Sequence, residues 1–316
     1  MLKLARAAQT TQSLLKKYSL DSFVSAGGGG NGNSNRGEGL GGYTGAGQQN
    51  TIDYIDIANT GDATDFGDLT VARNESCGVS NTTRTVAAGG STGSDSNVMD
   101  YITQMTTGDA TDFGDLITAA AGMFGMSSRS DRACTAGNSY AGDQIQYISI
   151  PTLGDSLNFG DLTQARGIGA SGSSNIRGVS MGGYSGGVKN IIDYITIATT
   201  GDATDFGDLT QAVYSCCGVS NKTRAVRCGG YASGETNVID YITIASTGNA
   251  SDFGDLTGTM QGQAGVSNPT RGCIMNKYNA QNTIEYITIE TTGNALDFGD
   301  TTQGRNFPTG GDTSTG

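Results

Sequence analysis

A phrase close to "NTIDYITIATTGDATDFGDLT" returns six times along the chain, and that recurrence limits the fold more than any other feature of the sequence. The phenylalanine of a [DN]-F-G-D motif falls at Phe66, Phe113, Phe159, Phe206, Phe253 and Phe298, a step of 45 to 47 residues. The tyrosine of the I-x-Y-I segment keeps the same step at Tyr54, Tyr101, Tyr147, Tyr194, Tyr241 and Tyr286. A third marker, approximately GVSNxTRxxxxGG, places Arg36, Arg84, Arg132, Arg177, Arg224 and Arg271. Each copy reads as four short extended segments, punctuated by Gly-Gly, Thr-Gly-Asp/Asn and Ser-Asn pairs. A four-strand unit of this length is one blade of a β-propeller, and six blades close a ring.

Strand chemistry favours the ring over an open solenoid. Ile52 and Tyr54 lie on one side of a strand, and Ile55 and Ile57 on the other, so both faces carry apolar groups. A blade held between two neighbours needs that pattern; a half-exposed antiparallel sheet alternates more cleanly. Residues 20–35 and 301–316 occupy the same phase of the repeat. One end is therefore expected to complete a blade begun by the other and so remove an edge strand. The fold predicted is all-β: a six-bladed kelch-like β-propeller over residues 26–316, with a short N-terminal helix outside the ring in residues 1–25. Leu4, Ala8, Leu15 and Tyr18 share one side of that helix, ringed by Lys3, Arg6, Lys16 and Lys17, and mark it as a docking segment.

Composition removes several chemistries. The chain has no histidine and no tryptophan, which eliminates Ser-His-Asp and Cys-His arrangements, histidine-ligated metals and an imidazole base. Residues 1–20 carry four basic side chains and no acid, so the net charge of −12 leaves −16 on the remainder. A body so acidic repels nucleic acid and anionic membranes. No apolar run approaches the length of a membrane span, and no secretory signal is expected from residues 1–20. The six cysteines form no C-x-x-C pair or repeated framework; Cys77 and Cys217 share a repeat position with Phe124, Ala170 and Ala264, as small core residues would. No cofactor is implied.

The six copies align within one molecule, so residues present in all of them report what every blade requires. The final aspartate of the motif, at Asp68, Asp115, Asp161, Asp208, Asp255 and Asp300, never varies, and neither does the arginine. A repeated charge-assisted bond between that aspartate and that arginine is the expectation. A calcium loop is disfavoured for "GDATDFGD": Asp62 becomes Asn249 and Asn294 in later copies, as befits a turn acceptor, and carboxylate number is what tunes a calcium site. Function belongs where copies differ. Met123, Phe124 and Met126 come together in the second copy, either filling the Cys77 position in the core or offering an apolar contact on one rim. Tyr43, Tyr184, Tyr231 and Tyr278 sit beside variable, small polar connections and are candidates for a carbohydrate-binding rim, since tyrosine offers an apolar face with a hydroxyl.

These repeats, with their "DFGDLT" and "GVSNxTR" words, resemble the kelch-like "FGDL"-repeat proteins of marine bacteriophages, notably cyanophages, and of some large aquatic viruses. The resemblance covers residues 26 to about 310. The third copy departs from it with "IQYISI" and "LNFGDL", and the sixth with Thr301 in place of leucine. It implies a non-enzymatic virion protein, such as a fibre, spike or capsid decoration, assembled in the host cytoplasm. Residues 1–25 would then join it to another virion protein, and a host-surface glycan would be a fitting partner for the rim. A soluble kelch-like adaptor, or a carboxylate-dependent glycan-active enzyme, is the alternative.

Overall fold

The computed structural model describes residues 26–27, 35–127, 131–139, 142–277, 281–306 and 309–312. The expected N-terminal helix, with Leu4, Ala8, Leu15 and Tyr18, lies outside the described residues, as does Tyr278. Among the described residues every regular element is a strand, and the strands form six sheets arranged as a six-bladed propeller.

Five blades are contiguous in sequence. The second runs Cys77–Ser80, Arg84–Ala88, Val98–Thr103 and Thr111–Asp115, from the axis outwards, and the third to sixth blades repeat that antiparallel order. The four-residue innermost strands of consecutive blades are neighbours around the axis. The first blade is assembled from both ends of the chain. Arg36–Thr44, Gly47–Asp56 and Thr64–Asp68 supply its outer three strands, and Thr309–Asp312 its innermost, pairing Gly37 with Asp312 and Leu40 with Thr309. The expected closure is therefore made at the axis by the C-terminal segment. A two-residue strand, Ala26–Gly27, runs parallel to Phe124–Ser127 and neighbours all six innermost strands, which puts it on the axis.

Packing follows from apolar groups on both strand faces. Ile55 and Ile57 of the first blade cluster with Val266, Cys273 and Phe298 of the sixth, while Leu40, Ile52 and Phe66 cluster with Ala87 and Ile102 of the second. The core thus lies between blades, which hold each other up. Cys77 and Cys217 are buried core residues, and all six cysteines are free and buried. Burial pushes the Cys77, Cys134 and Cys216 thiols up to about 12, so they behave as small apolar groups at neutral pH. Met123, Phe124 and Met126 are also buried, so they fill the core and offer no rim contact.

Two belts of hydrogen bonds tie the blades together near the axis. At one end, Ser80, Ser127, Ser173 and Ser220 donate backbone N–H groups to the hydroxyls of Ser127, Ser173, Ser220 and Ser267, at 3.0–3.3 Å. At the other end the backbone of Gly122 donates to Glu75, Ile168 to Gly122, Ser215 to Ile168 and Gly262 to Ser215, at 2.7–3.0 Å. The second belt takes a left-handed backbone at five equivalent positions among the described residues. Glu75, Ile168 and Ser215 have φ of 58°, 64° and 56°, where Gly122 and Gly262 have 65° and 75°.

Candidate functional site

Antiparallel order divides the loops between two faces. The turns from innermost to second strand and from third to outermost strand share one face, here the lower. The connections from second to third strand, and from each outermost strand to the next blade, share the upper.

The invariant arginines open the second strand at the lower face and the invariant aspartates end the outermost strand, and they do not pair with each other. Each arginine lies over the repeat tyrosine of its own blade, from 4.3 Å for Arg36 over Tyr54 to 4.6 Å for Arg84 over Tyr101. That tyrosine meets the edge of the motif phenylalanine at 5.9–6.1 Å. The guanidinium then donates to carbonyls just past the third strand of the following blade: Arg84 to Ile150 at 3.0 Å, Arg177 to Ile244 and Ala245 at 3.0 Å, and Arg271 across the ring closure to Ala58 at 2.9 Å. The arginine is therefore a blade-to-blade clasp, with a cation–π contact worth about 0.5–1 kcal/mol at each half-exposed site. Asp68 and its counterparts have exposed side chains, Asp255 a half-buried one, and act through the backbone: the Asp68 N–H donates to the Asp109 carboxylate of the next blade at 3.1 Å, and its carbonyl accepts from Ala110 at 2.8 Å. Asn249 and Asn294 accept in the same way from Asp208 and Asp255, both at 3.0 Å. The first acid of the motif is thus a neutral-tolerant turn acceptor, as its exchange for asparagine implied. A Cβ on Gly67 would stand 2.5 Å from the Gly108 carbonyl, which explains the fixed glycine of F-G-D. Among the described residues no group of three or more metal-ligating side chains comes together.

The strong ion pairs are made by residues the motif analysis passed over. Arg73 and Arg166 reach Asp100 and Asp193 of the following blade at 2.7 Å, and Arg305 reaches Asp53, all fully buried. Burial pushes the Asp53 carboxyl up and the Arg305 guanidinium down, while their attraction opposes both shifts. Where the arginine is missing, the acid adapts. Ala120 precedes a blade with Gln146 in place of aspartate, and Val213 precedes one in which Arg227 on the adjacent strand pairs with Asp240 instead.

The upper face is where the copies differ, and the rim tyrosines stand there. Tyr184 forms a β-bridge to Gly167 in the linker before its blade, Tyr231 to Tyr214, and Tyr43 to Asn306. The linker position holds Asn74, Ala121, Gly167, Gln261 and Asn306 in the other copies, so Tyr214 is the exception. It joins the rims of the fourth and fifth blades into one aromatic ladder. The Tyr184 and Tyr214 ring centroids are 5.4 Å apart at 57°, and those of Tyr214 and Tyr231 5.5 Å apart at 53°. Tyr214 is 8% exposed, between two half-buried outer rings. Its hydroxyl is pushed up to about 12 by burial and by both neighbouring phenols, so Tyr214 stays a neutral hydrogen-bonding group at neutral pH. Tyr43, on the first blade, stands apart from this ladder. Small residues follow the outer rings in sequence, Ser185, Gly186 and Gly187 after one and Ala232, Ser233 and Gly234 after the other. The arrangement suits a neutral ligand with alternating apolar and hydroxylic surface. The chain matches no family model, and no curated protein matches its sequence.

Proposed function

We propose that this kelch-like propeller is a structural and interaction protein of a virus particle, a fibre, spike or capsid decoration, that presents its upper face to the host surface. The observation that carries this reading is the ladder Tyr184–Tyr214–Tyr231: aromatic rings confined to the variable face and completed by a residue that breaks the repeat. The likeness of the "FGDL" words to marine phage proteins supports the virion context, and six buried free cysteines fit assembly in a reducing host cytoplasm. Residues 1–25 join the ring to a second virion protein. A neutral host-surface glycan is the ligand of the ladder.

The reading is tested by quantitative mass spectrometry of purified particles across a density gradient. Co-sedimentation with the capsid at a fixed ratio is expected, and deletion of residues 1–25 should release the ring. A chain that stays at the top of the gradient refutes the virion assignment. The ligand is tested separately on a glycan array, where Tyr184→Ser with Tyr231→Ser should abolish whatever the wild type retains.

A further inference from the structure

One core position of the repeat carries a carboxyl group in a single copy. Val86, Cys134, Val179, Val226 and Cys273 fill the middle of the second strand in the second to sixth blades, and the first blade has Glu38 there. Glu38 is fully buried. Its Oε2 accepts a hydrogen bond from the Thr85 hydroxyl of the second blade at 3.1 Å, and Thr85 in turn accepts from the Gln104 amide at 2.8 Å. Its Oε1 has no partner. On its own strand the charge acting on it is Arg36, whose guanidinium is already committed to the Tyr54 ring and the Gln104 carbonyl. Tyr54 stands opposite it on the third strand and Gly311 on the innermost, while the groups facing it from the second blade, Thr85 and Gln104, are neutral.

We infer that Glu38 makes the ring-closing seam a pH-sensitive latch. The seam is the pairing of Gly37–Leu40 with Thr309–Asp312, and Glu38 lies within it, opposite Gly311. In the other blades a short turn tethers these two strands; here they come from opposite ends of the chain, and the last strand is held near by the Tyr43–Asn306 bridge and the Arg305–Asp53 pair that precede it. An ionised Glu38 is fully buried with the Thr85 hydroxyl as its side-chain donor among the described residues, and opening the seam solvates it. Burial raises its carboxyl from 4.5 to about 8, with Thr85 and Arg36 pulling weakly the other way. A raised folded value means that the closed seam keeps its full stability below about 4.5 and loses it as pH climbs towards about 8. The opening equilibrium therefore grows about tenfold per pH unit across that window and levels off above it.

The test is amide hydrogen exchange of the full chain between pH 5 and 9, with protection factors corrected for intrinsic exchange. Protection of residues 36–40 and 309–312 should fall about tenfold per pH unit up to about pH 8, while Cys217–Ser220 in the fifth blade stays level. Glu38→Gln should flatten the seam profile. Glu38→Val, which installs the residue of the second, fourth and fifth blades, should flatten it with higher protection throughout. A level wild-type profile, or a slope that survives in both variants, overturns the latch.

Discussion

Removing one member of a buried ion pair should cost far more than removing both. In Arg73→Ala the Asp100 carboxylate stays fully buried, with only the Thr70 backbone and hydroxyl as donors, and the Ala87 carbonyl loses its 3.1 Å bond from the guanidinium. An uncompensated buried charge of this kind costs about 3–5 kcal/mol. Asp100→Gln alone strands the guanidinium instead and should cost about 3 kcal/mol. The third blade shows the way out: with Ala120 in the arginine position, Gln146 accepts from the Ile117 N–H at 2.8 Å and the Ser156 hydroxyl at 2.7 Å and needs no cation. The double variant Arg73→Ala/Asp100→Gln copies that solution, and its loss should be smaller than either single loss, short of their sum by more than about 3 kcal/mol. Urea unfolding followed by tyrosine emission and far-ultraviolet circular dichroism measures all four corners of the cycle, unobscured because the chain has no tryptophan. Losses that simply add would refute the claim that Arg73 and Asp100 form one electrostatic unit.

Other outcomes follow from the clasps and turns. Arg177→Ala removes a ring contact and two inter-blade hydrogen bonds and should cost about 1–3 kcal/mol, whereas Asp208→Ala, exposed and acting through its backbone, should stay within about 0.5 kcal/mol in the same urea titration. Asp62→Asn reproduces the acceptor of the later copies; its melting temperature should match wild type, and calcium should shift neither protein. Ser215→Gly relieves a left-handed residue and should stabilise by about 0.5–1 kcal/mol, the strain released exceeding the added chain entropy. A loss of stability in Ser215→Gly would mean that the hydroxyl contributes more than the backbone strain costs.

The ring was legible because three markers keep one period, and a period survives ignorance of every contact. The partner of the invariant arginine was not legible. Charge suggested the equally invariant Asp208 or Asp68, but those carboxylates lie in solvent, and the arginine's shared neighbours are an aromatic ring and main-chain carbonyls, which leave no repeated complementary charge in the sequence; Arg224 in addition has Glu290 at 3.7 Å. The buried pairs did leave a signal. Arg73, Arg166 and Arg305 each precede a blade with aspartate in its third strand and Ala120 one with Gln146, but Val213 and Met260 precede Asp240 and Glu285, so neighbouring copies carry the pairing only in part. Tyr214 escaped for the opposite reason: it occurs at its position once, and only the fold brings it between Tyr184 and Tyr231. Glu38 is of the same kind, a single acid in an apolar column, readable as an anomaly from the repeat but not as a seam residue until the C-terminal strand was seen beside it.

That strand also sets an order of events in synthesis. As the chain emerges from the ribosome, the second to sixth blades can each form from contiguous sequence, but the first stays three-stranded until residue 312 has been made. For that whole interval the second strand of the first blade presents unpaired backbone and Leu40 to solvent, an open edge able to accept a strand from another nascent copy. On a polysome crowded with identical chains, the late arrival of four residues decides whether a ring closes on itself or on its neighbour.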